Sequence, residues 1–178
     1  MQILVVMAHP KLDESRIHGA WIKALEGKNN ILVNPLYHYY SGWKINVSVE
    51  QNYIQNYQRI VLQFPFFLYG CPPLMKKWLD DVLTYRWAYG PGGDALKGKQ
   101  LLIALSTGGP AESYVRGGYH NYTINELLAP FRQIANLVRA DYLPPFVLHR
   151  ARTMTDQEIS ASAIEFSQYI QREDLRAL

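Results

Sequence analysis

The sequence predicts a doubly wound α/β fold, in which a parallel sheet carries helices on both faces. Continuous apolar runs, most clearly residues 101–109 (LLIALSTGG), are typical of strands buried on both sides. These runs alternate with segments of helical periodicity, which favours parallel strands joined by right-handed crossovers. The 178 residues contain no repeat or linker, so we expect residues 1–178 to form a single domain.

The first half of the chain supplies three strands and two helices. Ser15 caps the first helix, whose residues Ile17 and Trp21 share one face. Pro35 indicates that the second strand ends there or lies at the sheet edge. The predicted strands cover 2–8, 31–36 and 59–64, and the helices run from Arg16 to Leu25 and over 48–56.

The second half continues the alternation. Pro72 and Pro73 start a helix, since the first turn tolerates a missing N–H. Next come a strand at 100–106, a helical segment over 121–138 that Pro130 interrupts, a last strand or extended segment at 142–148, and a helix opened by the capping box of Thr155 and Glu158. Five strands at this length favour the flavodoxin-like order 2-1-3-4-5 over a barrel.

Composition restricts the classes of function. One cysteine allows no internal disulfide and no zinc site of the Cys/His type, so we expect a reducing, cytoplasmic setting and no metal. The first apolar run is too short for a signal or membrane span. A net charge of +3 from interspersed residues gives little support for a nucleic-acid partner. The 13 tyrosines and 4 tryptophans suit an interface or a stacking pocket for a planar ring.

The loop after the first strand, AHPKLDESRI, is a candidate phosphate site. Ser15 and the backbone amides of Arg16 and Ile17 open a helix, whose positive dipole end attracts an anion. His9 at the strand end can donate a further hydrogen bond. The alternative is that Ser15 is only a helix cap and His9 a solvated turn residue.

The loop after the third strand places four large apolar side chains where polar residues are usual. A bound ring would cover these side chains, which follow the stiff turn at Pro65. They are Phe66, Phe67, Leu68 and Tyr69. The alternative is that they belong to the core or to a dimer interface.

The loop after the fourth strand holds Ser106, Thr107, Gly108 and Gly109. Two glycines without Cβ atoms let a flat ligand approach the backbone amides, although a plain tight turn would have the same composition. The carboxyl ends of parallel strands meet at one sheet edge. A phosphate at the first loop and a heterocycle between the other two describe a flavin nucleotide.

The same segments resemble the flavodoxin-like NAD(P)H:quinone oxidoreductases, and most closely the ancillary proteins of glutathione-regulated potassium-efflux systems. The resemblance spans nearly the whole chain. It is carried by A-H-P…S near the amino terminus, WAYGPGGDALKGK (87–99), STGG (106–109) and LPPFVLH (143–149). It implies a homodimer with one flavin per subunit, the ring lying near the subunit interface.

Position by position, the resemblance implies three groups of flavin contacts and a catalytic pair. The phosphate and ribityl chain would be held by His9, Ser15, Arg16, Ile17 and His18. The ring would be lined by Phe66, Phe67, Leu68 and Tyr69, and its polar edge would meet Ser106, Thr107, Gly108 and Gly109. Tyr114 and His120 match a tyrosine and a histidine that face the flavin during hydride transfer. The chain departs from the family pattern at three places. It has no tryptophan within 66–69, and it has STGG where the family has TTGG. Many relatives have an asparagine at the position of His18 or at a neighbouring position.

The leading hypothesis is a flavin-dependent NAD(P)H:quinone oxidoreductase, with two-electron ping-pong hydride transfer to quinones or similar acceptors. FMN is the expected flavin, FAD is the alternative, and NAD(P)H is the electron donor. The alternative function is a regulatory ancillary subunit of a potassium-efflux transporter, held at the inner face of the membrane by that partner. Direct NAD(P) binding at the G-x-G-x-x-A match of Gly90, Gly92 and Ala95 is disfavoured, because this run follows a helix and precedes a strand.

Overall fold

A parallel sheet forms the centre of the computed structural model, which describes residues 1–178. The strands are β1 (Ile3–Met7), β2 (Ile31–Pro35), β3 (Arg59–Pro65), β4 (Gln100–Ser106), β5 (Asp141–Tyr142) and β6 (Phe146–Leu148). Their order in the sheet is β2-β1-β3-β4-β5, with β6 also paired to β4, and every pairing is parallel. The predicted fold class and strand order are therefore confirmed.

Helices cover both faces of the sheet, as the sequence predicts. One face carries α1 (Arg16–Lys23) and α7 (Asp156–Tyr169). The opposite face carries α2 (Leu36–Tyr39), α3 (Val47–Asn56), α4 (Pro73–Val82), α5 (Ile124–Leu127) and α6 (Ala129–Val138). No helix combines the length and the apolar character that crossing a membrane requires.

Strand β3 shows why the apolar runs are continuous. All seven of its residues are buried. Ile60, Leu62 and Phe64 join the core under α4 and α6, whereas Val61 faces the core under α1 and α7. Since successive side chains point to opposite faces, a strand covered on both sides needs apolar residues at consecutive positions.

Helix ends follow the capping chemistry expected from the sequence. The Ser15 hydroxyl accepts the backbone N–H of His18, and Thr155 and Glu158 form the complete capping box of α7. Pro35 ends β2, which lies at one edge of the sheet. The helical segment expected over 121–138 begins instead at Ile124, capped by Thr123 in a second capping box.

Prolines accompany breaks in two segments, and the sequence predicts one of these breaks, at Pro130. Pro144 and Pro145 separate β5 from β6, because proline has no N–H to donate to the ladder with β4. Helices α5 and α6 are separated at Leu128, and Pro130 lies in the first turn of α6, where the missing N–H costs little.

A carboxylate is buried between β2 and the helices of one face. Glu50 on α3 is 0% exposed and accepts three hydrogen bonds of 2.6 Å, from Asn34 Nδ2, the Tyr40 hydroxyl and Trp78 Nε1. Burial raises the pKa of Tyr40, and the hydrogen bond from its hydroxyl to Glu50 raises this pKa further. One side chain therefore ties α3 to β2, to α4 and to the segment after α2.

Replacing Glu50→Ala should lower the free energy of unfolding by about 3–5 kcal/mol, because three buried donors lose their acceptor. Chemical denaturation monitored by circular dichroism measures this change. Glu165→Ala removes an exposed carboxylate from α7 and should leave stability within about 0.5 kcal/mol. Equal stability of the two variants would contradict a structural role for the Glu50 carboxylate.

Candidate functional site

A cavity of about 430 Å³ lies where β1, β3 and β4 end. Residues from all three predicted loops line it, so the sheet topology brings these loops together as expected. The lining residues are His9, Glu14, Ser15, Arg16, Ile17, His18, Pro65, Phe66, Phe67, Ser106, Thr107, Gly108, Ala151 and Arg152. Leu68, Tyr69 and Gly109 are not among them.

The amino terminus of α1 forms one end of this cavity. Ser15 caps the helix, and its hydroxyl accepts the His18 N–H at 3.2 Å. The backbone amides of Arg16 and Ile17 follow directly and have no intrahelical acceptor in the first turn. This end presents the positive pole of the helix to the cavity.

His9 presents a neutral donor beside that helix end. Its Nδ1 accepts the Lys11 N–H at 3.2 Å, which leaves the ring hydrogen on Nε2. Burial lowers the pKa of His9, with a smaller opposing effect from the Lys11 hydrogen bond and the charge of Glu14. The ring therefore contributes a hydrogen-bond donor rather than a charge at neutral pH.

One lining arginine has no carboxylate partner. Arg16 pairs with Asp156 at 2.5 Å and Arg150 pairs with Glu158 at 3.5 Å, but Arg152 forms no ion pair. The acidic lining residue, Glu14, pairs with Lys11. The uncompensated charge of the cavity is therefore positive.

His18 borders the cavity but is almost completely buried. Its ring is 1% exposed, with Nε2 at 2.9 Å from Ser106 Oγ and Nδ1 at 3.2 Å from Gln63 Nε2. Burial, followed by the charge of His9, lowers the pKa of His18 to about 3. The imidazole is neutral and offers no positive charge to a phosphate.

The second loop turns sharply at its apolar residues. Phe67 and Gly70 exchange backbone hydrogen bonds of 3.1 and 2.9 Å around Leu68 and Tyr69. Both turn residues have positive φ, 45° and 65°, a conformation that usually selects Asn or Gly. Pro65, Phe66 and Phe67 thus line the cavity, while Leu68, which is 95% exposed, and Tyr69 form the tip of the turn outside it.

The third loop is held in place by side-chain and backbone bonds. The Thr107 hydroxyl donates to Gly109 O at 2.9 Å and lies 2.9 Å from His149 Nδ1. The Thr107 N–H donates to Leu148 O. The neighbouring Gly108 N–H donates to no protein group and borders the cavity.

Tyr114 and His120 stack on each other next to the third loop. Their ring centroids are 4.2 Å apart, and a Cβ on Gly109 would lie 3.2 Å from His120 Nε2. His120 Nδ1 also lies 3.1 Å from the Tyr69 hydroxyl. Burial raises the pKa of Tyr114, with smaller opposing effects from Thr107 and Gly109. The pair packs against Gly109 and, like Gly109, is not part of the cavity lining.

Sequence reasoning missed several residues of this site. Glu14, Ala151 and Arg152 line the cavity, and His149 and Gln63 support it from behind. Gln63 carried a signal, because it is a polar residue within an otherwise apolar buried strand. Arg152 gave none, since the segment after β6 reaches the cavity only through tertiary packing.

A family model described as flavodoxin-like fold matches residues 1–170 of the chain. General stress protein 14 of Bacillus subtilis is 45% identical over 97% of this chain and 98% of its own length. An uncharacterized NAD(P)H oxidoreductase of the same organism, YdeQ, is 44% identical over 96% of this chain and 86% of its own. KefG of Yersinia enterocolitica, a glutathione-regulated potassium-efflux system ancillary protein, is 31% identical over 96% and 92%.

Solved structures with similar sequences share the fold. General stress protein 14 of Treponema denticola, in complex with FMN, has a TM-score of 0.92 at 38% identity over 96% of this chain and 98% of its own. An NADPH-quinone reductase from P. pentosaceus has a TM-score of 0.89 at 32% identity over 97% and 99%. A protein from Streptomycin violaceusniger described as a thermophilic tryptophan halogenase has a TM-score of 0.93 at 39% identity over 96% and 99%.

These matches extend over nearly the whole chain, and the flavodoxin-like fold of the family model agrees with the observed sheet topology. The resemblance read from the sequence is confirmed at the level of the family: this chain belongs to the flavodoxin-like family that includes general stress protein 14, YdeQ and KefG.

Proposed function

We propose that this protein is an FMN-dependent NAD(P)H:quinone oxidoreductase that transfers hydride in two half-reactions. The observation that carries the proposal is the cavity in which the ends of β1, β3 and β4 bring a helix amino terminus, aromatic side chains and a free glycine amide together. The FMN complex of one relative and the names of YdeQ and the P. pentosaceus reductase support the same function.

The residues at the two ends of the cavity fit the two ends of FMN. The amides of Arg16 and Ile17, the hydroxyl of Ser15 and the N–H of His9 suit the phosphate. Phe66 and Phe67 supply apolar walls for a ring. The unpartnered charge of Arg152 suits an anionic ligand.

The polar edge of the ring would meet the third loop. The free Gly108 N–H and the Ser106 hydroxyl are donors fixed by the sheet, and fixed donors stabilise developing negative charge without reorganisation. When bound, a flavin supplies an acceptor for the hydride of NAD(P)H and then a donor to the quinone.

Tyr114 and His120 are proposed to hold and move the proton that the quinone oxygen requires. Burial keeps the Tyr114 phenol protonated, and the His120 ring stacked on it connects to the exposed Tyr69 hydroxyl. A phenol and an imidazole are both groups that can supply a proton to a bound acceptor.

We also propose that the protein is a homodimer whose interface includes the tip of the second loop. Four exposed, large apolar side chains lie beside the cavity and are here called the apolar rim: Phe67, Leu68, Tyr69 and Tyr119. Two consecutive residues of this rim adopt positive φ at a cost of about 1–3 kcal/mol each, and such strain is concentrated at functional sites.

The second candidate function is an ancillary subunit of a potassium-efflux transporter, at the inner membrane face through that partner. It is favoured by the 31% identity to KefG over 96% of this chain. Co-purification with a membrane transporter, and an effect on potassium efflux that persists without flavin, would distinguish it from the oxidoreductase. The two functions are compatible in one protein.

The purified protein should bind FMN and reduce quinones with NAD(P)H, giving parallel lines in double-reciprocal plots. Riboflavin should bind at least about tenfold more weakly than FMN, because it lacks the phosphate that the α1 terminus would hold. Fluorescence quenching measures both affinities. A protein that binds neither flavin would overturn the proposed function.

Tyr114→Phe should lower kcat for quinone reduction by about 10- to 100-fold, since it removes the proton donor and retains the stacked ring. Stopped-flow absorbance should place the loss in the quinone half-reaction, with FMN affinity unchanged. The control Tyr122→Phe alters an exposed phenol in the same segment and should behave as wild type. An unchanged quinone half-reaction in Tyr114→Phe would exclude the phenol as the donor.

Leu68→Glu should convert the dimer to a monomer, because two charged tips would be buried at one interface. Sedimentation velocity at micromolar concentration measures the change. Ile164→Glu places the same charge at an exposed apolar position on α7 and should leave the dimer intact. A wild-type monomer would overturn the proposed homodimer, and a dimer in Leu68→Glu would place its interface elsewhere.

A further inference from the structure

Three polar side chains form a row that runs from the core between the sheet and α1 to the cavity floor. Gln63 on β3 is 0% exposed, His18 on α1 is 1% exposed, and Ser106 at the end of β4 is 7% exposed. The row joins Gln63 Nε2 to His18 Nδ1 at 3.2 Å and His18 Nε2 to Ser106 Oγ at 2.9 Å. Among these three, Ser106 alone brings a hydroxyl to the cavity floor.

The amide of Gln63 fixes the position of the ring hydrogen on His18. An amide nitrogen can only donate, so His18 Nδ1 accepts and the hydrogen of the neutral ring resides on Nε2. The side-chain oxygen of Gln63 has no partner, so its amide nitrogen provides the only hydrogen bond this side chain makes. A neutral imidazole has one donor and one acceptor, and one neighbour therefore decides both.

This arrangement determines the direction of the Ser106 hydroxyl. Because His18 Nε2–H donates to Ser106 Oγ, the hydroxyl hydrogen of Ser106 must point elsewhere. The hydroxyl makes no other hydrogen bond within the chain, and Ser106 lines the cavity. Its hydrogen is therefore available to a bound ligand.

We propose that Gln63 and His18 are positioning residues that hold the Ser106 hydroxyl as a hydrogen-bond donor to an acceptor atom at the polar edge of the flavin; this rests on the proposed function. The opposite tautomer of His18 would draw the Ser106 hydrogen inward to Nε2. The Ser106 oxygen would then present only lone pairs to the cavity. An acceptor atom of the flavin could form no hydrogen bond with it. The row thus selects for ligands with an acceptor at this point.

The row is insensitive to protonation near neutral pH. Burial, followed by the charge of His9, holds the pKa of His18 at about 3, so the ring remains neutral and the direction of its bonds persists. The groups that face the ring are His9, Trp21, Gln63 and Ser106, and none of them is acidic.

A double-mutant cycle on FMN affinity tests the row. Ser106→Ala removes the donor, and Gln63→Met removes the group that fixes the tautomer while preserving side-chain volume. Each should weaken FMN binding by about 3- to 10-fold, the effect of one neutral hydrogen bond. The double variant should bind no more weakly than Ser106→Ala, because Gln63 acts only through that hydroxyl. Ser162→Ala removes a buried hydroxyl bonded to Trp21 on the same face and should leave FMN affinity unchanged.

Nitrogen-15 NMR of the flavin-free protein reads the tautomer directly, with the His18 signals assigned by their absence in His18→Gln. A protonated Nε2 with an unprotonated Nδ1 is expected, and the reverse would overturn the proposal whether or not the variants fold. Additive effects in the cycle, or unchanged affinity in Ser106→Ala, would also overturn it. A wild-type protein with the expected tautomer but no FMN affinity would instead overturn the proposed function and, with it, the role of Ser106 toward a flavin.

Discussion

The parallel register of three strands is the constraint on which the site depends. Met7 of β1 pairs with Gln63 of β3, and Pro65 of β3 pairs with Ser106 of β4. The loops that follow these three strands therefore leave the sheet at the same edge. Both faces of the sheet are covered, and polar groups buried there need partners. Beyond the strand ends the backbone turns away, which frees amides and hydroxyls for a ligand.

The two walls of the cavity differ in how they are held. The third loop is fixed by Thr107, which joins Gly109 to His149 and the segment after β6, so the donors beside it are preorganised. The second loop carries positive φ at Leu68 and Tyr69 and exposes apolar side chains. A rigid polar floor and an exposed apolar rim suit a flat ligand that is bound on one side and approached by a second substrate from the other.

Two histidines of this site differ in their burial. His18 is enclosed and neutral, and its role is limited to directing hydrogen bonds below the floor. His120 is partly exposed, stacks on Tyr114 and lies 3.1 Å from the Tyr69 hydroxyl, and we propose that it takes part in proton transfer. The sequence places both near candidate ligand contacts, but their chemistry follows from the surrounding packing.

The sequence by itself determined the fold class, the strand order, the caps at Ser15 and Thr155, and the three loops of the cavity. These features depend on local periodicity, on side-chain hydrogen bonds to nearby amides and on the alternation of strands with helices, all of which are short-range. Tertiary structure alone decided that Leu68 and Tyr69 stand outside the cavity, that His18 turns toward Ser106, and that Arg152 reaches the lining. Such outcomes depend on the packing of segments distant in the chain, and no local pattern encodes which way a side chain turns when two of them meet.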